Sequence, residues 1–237
     1  MSTAQTFAET FVAPARGLAG AADRGSFLPP IIAATLVSLA FAFVLVPRVD
    51  YERTVNERLD KNPQAAQQLS PHDREEAVAK AQKIGGIAAY AGALFLPALR
   101  ALAVAFATWV ALQVAGAKPT FAASFAVASW ALVPLALRAL LSIPALLRMQ
   151  GIAAQEAERA LPSSLVALLP ADATGPLASL AGALDLFSLW ALVLVALGMA
   201  HVAGVTRRRA FAVVIVLFAS YVLLVHVALP RLAGGGS

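Results

Sequence analysis

The chain has 237 residues, of which 60% are apolar and 13% charged, with a net charge of +5, a pI near 10.1 and a mean hydropathy of +0.77. That balance excludes a water-soluble domain built round one core, and the absence of cysteine excludes disulfides, thiolate metal sites and lipidated thiols. The basic residues are scattered among loops and apolar runs instead of being striped with aromatics along one face, which argues against nucleic acid as a partner.

The N-terminal stretch from Thr6 to Leu18 mixes aromatic and charged residues at helical spacing, and Pro14 suits the first position of a second helix. Residues 1–26 are therefore expected to form short amphipathic helices in the membrane interface, with no cleaved leader. Phe27-Leu28-Pro29-Pro30 then turns the chain into the first of five apolar runs: Phe27 to Val46, Ile84 to Ala115, Phe121 to Leu147, Leu177 to Val205 and Ala210 to Leu229. Each reaches the roughly 20 residues that a helix needs to cross a hydrocarbon core. The fold class is an all-α, polytopic membrane bundle: five transmembrane helices over residues 27–231, short interfacial helices and a small-residue tail at 232–237.

Between the first two spans, residues 48–83 form a polar helical excursion that carries seven basic and seven acidic residues as far as Gly85. Tyr51 to Leu59 reads as a charged helix and Asn62-Pro63 as a break. Ser70-Pro71 followed by Asp73, Glu75 and Glu76 is a strong helix start that runs through Lys80 and Lys83 into the second span. Pro97 is expected to kink that span, and Gly116 to Thr120 to form a short hairpin into the third, which contains Pro134 and ends near Pro144. Residues 148–174 read as a polar stretch holding an interfacial helix, with Thr174-Gly175-Pro176 opening the fourth span and Pro230 closing the fifth.

Five spans place the amino terminus, the Lys118 hairpin and the Arg207-Arg208-Arg209 hairpin on one side with six basic residues, against ten on the other, seven of them in the charge-balanced excursion. Three adjacent cations at span ends resist translocation, so the amino terminus is expected on the cytoplasmic side.

Three charges lie inside apolar runs: Arg100 near the middle of the second, Arg138 just past the middle of the third, and Asp185 in the first half of the fourth. Such charges are costly in hydrocarbon and form the candidate binding cluster. The third and fourth spans are antiparallel, so Arg138 and Asp185 fall at similar depth, roughly 6 to 9 Å from the midplane, which predicts an ion pair with Arg100 as a third member. Its plain alternative is a structural fastening between helices. Pro134, Trp190 and Gly198 are candidate helix-packing residues, Gly198 because a small residue permits close approach. His72, His201 and His226 lack ligand spacing, so no metal and no cofactor is expected, and the recognised nucleophile, metalloprotease and phosphate-loop patterns are missing, so no enzyme is expected.

Taken in order, several features resemble the Ypt-interacting-protein (Yip) domain family. They are Phe7 and Phe11 before Pro14, the Phe27-Leu28-Pro29 entry and Leu69-Ser70-Pro71 with an acidic helix after it. Further on come Thr120-Phe121 opening a span with Trp130, Pro134 and Arg138, and Asp185-Leu186-Phe187-Ser188-Leu189-Trp190 with Gly198 downstream. The resemblance implies five membrane helices and a cytosolic amino terminus. Eukaryotic relatives are associated with small GTPases, vesicle trafficking and membrane shaping, and bacterial relatives have largely unassigned functions. With only 26 residues before the first span, no GTPase-binding arm is carried over. The excess of Ala, Leu, Val and Arg over Lys points to a bacterial-type member, in the inner (cytoplasmic) membrane.

The leading functional expectation is a membrane-organising scaffold that binds membrane lipids, a protein partner or a second copy of itself. A transporter or channel for a small or anionic solute through Arg100, Arg138 and Asp185 comes second, and a membrane enzyme third.

Overall fold

A computed structural model describes residues 2–60, 70–153, 156, 161, 163–165, 181–182 and 184–225. Within them the named elements are helical and no strand forms. In chain order these are α1 (Thr3–Val12), α2 (Pro14–Asp23), α3 (Leu28–Leu45), a 3-10 turn (Val46–Arg48), α4 (Tyr51–Asp60), α5 (Pro71–Val114), α6 (Phe121–Ala131), α7 (Val133–Leu146), α8 (Leu186–Ala203) and α9 (Arg207–Leu223). The expected break at Asn62-Pro63, the Thr174-Gly175-Pro176 start, most of residues 148–174 past 153, His226, Pro230 and the tail lie outside the described residues.

The helix starts follow local chemistry. Ser2 caps α1 reciprocally with Gln5, and Pro14, whose missing N–H is no loss in a first turn, opens α2. At α5, Ser70 Oγ accepts from the Asp73 amide at 3.2 Å and donates to the Asp73 carboxylate at 2.6 Å. From that cap α5 runs for 44 residues, through the polar excursion and into the apolar span without interruption, Pro97 included. The third span is instead divided. Pro134 cannot donate to the carbonyl four residues back, α6 ends at Ala131, and α7 restarts at Val133 with Pro134 in its first turn.

Four helical stretches among the described residues are long and apolar enough to cross a membrane: Leu28–Arg48, Pro71–Val114, Phe121–Leu146 and Leu186–Ala203. The fifth expected span is represented by α9, whose described helix has 17 residues; positions 226–229 of that run lie beyond the description.

The chain divides into two compact units. The first comprises Met1–Ala34, Pro97–Leu137 and Pro162–Ser237. In it, α2 lies against both α6 and α8, which also touch each other. Leu18 and Ala21 of α2 are fully buried with Val127, Trp130 and Ala131 of α6 and with Leu194, Ala196 and Met199 of α8. Leu112 of α5 and Val214 of α9 complete this core. Trp130 donates its indole N–H to the Ser26 carbonyl at 2.6 Å, which holds the entry of α3.

The second unit comprises Thr35–Leu96 and Arg138–Leu161. Leu146 and Ile152 are buried there beside Phe41, Val44 and Leu45. Residues 48–50 and Ile152 exchange backbone hydrogen bonds, Ile152 N–H to the Arg48 carbonyl at 3.1 Å and Asp50 N–H to the Ile152 carbonyl at 2.9 Å. Arg53 reinforces this clasp by pairing with Glu156 at 2.6 Å. Gly85 leaves room for Tyr51, since a Cβ there would come within 2.8 Å of its ring. Partial burial, and after it the neighbouring Tyr90, raises the Tyr51 phenol above its ordinary pKa.

A side chain at Gly198 of α8 would run into the Val127 side chain of α6. Gly198→Ala is expected to lower the thermal midpoint of the detergent-solubilised protein by the equivalent of about 1–3 kcal/mol of overpacking. Adding Val127→Ala should restore part of it. Equal midpoints for wild type and Gly198→Ala would show that the two helices are not in close contact.

Candidate functional site

The fourth apolar run was expected to hold Asp185 in its interior. The structure corrects that position: α8 begins at Leu186, and Asp185, extended at φ −107° and ψ 153°, is its N-cap. Asp185 is 2% exposed, and its carboxylate accepts from the Phe187 and Ser188 amides at 3.0 and 3.1 Å, while the Ser188 hydroxyl donates to its other oxygen. The chain on either side pairs with residues 163–165, Leu186 N–H to the Ser163 carbonyl at 2.9 Å and Leu165 N–H to the Leu184 carbonyl at 3.2 Å. Four amides at a helix start lack helical acceptors, and a short carboxylate both satisfies them and matches the positive end of the helix dipole. At 1.5 Å per residue, the cap lies about 13 Å from the middle of an 18-residue helix, a depth that suits the end of a span.

The two arginines occupy different surroundings. Arg138 is half-buried in α7, in the second unit, and its carbonyl accepts from the buried Ser142 hydroxyl at 2.9 Å. Arg100 is exposed on α5, in the first unit, with the exposed side chains of Leu99 and Leu102 next to it along the chain. Of the packing candidates, Pro134 is buried at the start of α7, Trp190 packs edge-on against Phe11 with centroids 5.1 Å apart, and Gly198 faces Val127.

Sequence spacing did not point to the contacts that tie the N-terminal helices to this bundle. His201 Nε2 lies 3.1 Å from Asp23 Oδ1, 178 positions apart, and Arg24 donates to the Thr6 hydroxyl at 2.9 Å. Arg209 of the triple-arginine hairpin donates to the Ala115 carbonyl beside the Lys118 hairpin, which brings those two connections together. The position of His201 in the last turn of α8, where a ring N–H suits the carbonyl-rich end of a helix, marks that residue alone and does not point to Asp23 as its partner.

The second unit holds a cleft of about 640 Å³ where α4 meets the first turns of α5, its wall shared between polar side chains and the apolar Leu59 and Val78. Glu52, Asp60 and Glu75 line it together with Ser70, Arg74 and Gln82. Arg74 is held by Asn56, which accepts at 2.6 and 3.0 Å from two of its guanidinium nitrogens. The cleft is open and mixed in charge, a surface suited to polar contacts with a polypeptide or headgroups.

Apolar helices of membrane-crossing length, joined by polar turns and caps, define a multipass helical membrane protein. The Yip1 domain model matches residues 8–229, and the chain belongs to that family. No curated protein and no solved structure matches it.

Asp185→Asn separates the cap from the charge. Asn caps as well as Asp, so Asp185→Asn should stay close to wild type in thermal stability while Asp185→Ala loses about 1 kcal/mol. If the carboxylate's charge is instead what the site requires, Asp185→Asn will fall as far as Asp185→Ala, by about 3–5 kcal/mol for a broken buried pair.

Proposed function

We propose that this Yip1-domain protein is a non-enzymatic membrane scaffold that recruits a partner polypeptide through the polar face of α4 and α5. The observation that carries this reading is the mixed-charge cleft of Glu52, Asp60, Arg74 and Glu75, borne on a helix that continues without a break into a membrane span. A surface built this way transmits position: whatever docks on the first turns of α5 is held at a fixed distance from the bilayer. The clasp between residues 48–50 and Ile152 and the Arg53–Glu156 pair support it by bracing the base of α4.

Its setting is a five-span topology with a cytoplasmic amino terminus, in a bacterial inner membrane. The contact between Arg209 and the Ala115 carbonyl supports a shared face for the Lys118 and triple-arginine hairpins, and three adjacent arginines favour the cytoplasmic side. Membrane lipids are the immediate neighbours of the exposed apolar side chains of α3 and α5, and a second copy of the chain is a further partner class.

Transport of an anionic solute through Arg100, Arg138 and Asp185 is the second reading, favoured by the burial of the Asp185 carboxylate. Its N-cap bonds already occupy that carboxylate, and Arg100 is exposed on α5, so the scaffold reading is preferred.

A photo-crosslinking amino acid at Gln82, activated in native membranes, should give a discrete protein adduct that Glu75→Lys removes. Absence of any adduct, together with anion flux in liposomes that Arg138→Ala abolishes, would overturn the scaffold in favour of transport.

A further inference from the structure

Four contacts fix the path of α1 and α2 within the first unit. Phe11, at the end of α1, packs on Trp190, and Asp23, at the end of α2, meets His201. Trp190 and His201 are eleven residues apart on α8, a rise of about 16 Å, so α2 runs along α8 instead of crossing its end. On α6 the same reading holds: Phe7 packs edge-on against Trp130, ten residues and about 15 Å beyond the Thr120 cap. Arg24 reaches back to Thr6, which makes α1 antiparallel to α2, and their backbones close at Gly17, where a Cβ would lie 2.8 Å from the Thr10 amide nitrogen.

We infer that α1 and α2 form a re-entrant hairpin, dipping into the bilayer from the amino-terminal face with lipid acyl chains as the partner of its outer surface. Phe11 meets Trp190 fourteen residues before Gly204, about 21 Å down α8, beyond the half-thickness of a hydrocarbon core roughly 30 Å thick. The outer surface suits that depth. Ala4, Ala8, Phe11 and Val12 are exposed along one stripe of α1, with Val12 86% exposed at the tip. On α8, which α1 meets through Phe11 and Trp190, Leu189 and Val193 are exposed as well. Two hydroxyls of the hairpin are turned inward: Thr6 and Thr10 are buried, and each donates to a carbonyl one turn back.

The tip also limits its unsatisfied backbone, which hydrocarbon penalises. Pro14 has no N–H to satisfy, the Ala13 amide donates to the Glu9 carbonyl at 2.8 Å, and the Ala13 carbonyl accepts from Arg16 and Gly17. Two charges lie near the tip. Glu9 is half-buried, and Arg16 is exposed, with a stem long enough to lie in apolar surroundings while its guanidinium reaches toward the headgroups.

The hairpin inference does not depend on the scaffold reading. Because the chain has no cysteine, Val12→Cys introduces a single thiol. A nitroxide attached there in liposomes should collide with oxygen far more than with a water-soluble nickel chelate. It should match a label at the span residue Leu36 and contrast with one at Lys118. Ala8→Cys should behave in the same way, which covers a Val12 variant that fails to yield monodisperse protein. Nickel accessibility at both positions equal to that at Lys118, or an intermediate value marking the interface, would overturn the hairpin.

Discussion

The close approach of α6 and α8 at Gly198 is the constraint on which the first unit depends. In lipid, apolar helices gain little by leaving acyl chains for each other, so association rests on packing at short range. Gly198 allows Val127 to sit against the α8 backbone, and the neighbouring Ala196, Ala131 and Ala126 keep the surfaces smooth. Two helices brought together this way leave a groove alongside, which α2 fills with Leu18, Ala21 and Ala22. Gly17 repeats the device between α1 and α2. Small residues thus act twice, once to join membrane helices and once to let the N-terminal segment join them.

Hydrophobic patterning made the spans legible because a bilayer demands long apolar helices and little else. The caps were legible too where the chemistry is local, as at Ser70-Pro71 and Pro14. Asp185 was not, because a charge count along an apolar run does not separate a residue inside a helix from one that starts it. Position 185 sits in 29 apolar-rich residues by sequence, and the capping role appears only with the extended backbone and the pairing of residues 163–165 with 184–186. The division at Leu132 was hidden for a related reason. Pro97 and Pro134 look alike in sequence, yet α5 continues through the first and the third span restarts at the second.

The N-terminal segment shows how amphipathicity underdetermines location. Phe7, Phe11 and Leu18 on a short helix read as a membrane-surface face, since periodicity identifies an apolar side without identifying what covers it. Here Leu18 is covered by protein, Phe7 and Phe11 meet Trp130 and Trp190, and the hydroxyls of Thr6 and Thr10 return to their own helix. No local signal announces a contact between Asp23 and His201, because long-range pairing in a single sequence leaves no periodic trace.

The Yip1 match begins at residue 8, inside α1, and therefore takes in the tip of the α1–α2 pair as well as the spans. The second half of α1 and all of α2 are then part of the domain and not an accessory preceding it. A domain that spends Gly17, Trp130, Trp190 and a buried α2 on holding its first 24 residues against α6 and α8 treats that segment as structure. The polar chemistry is concentrated elsewhere, on α4 and the first turns of α5. The second unit therefore carries both kinds of surface, the exposed apolar side chains of α3 and the charged cleft of α4 and α5, so the proposed docking surface belongs to a unit that itself contains membrane-crossing helix.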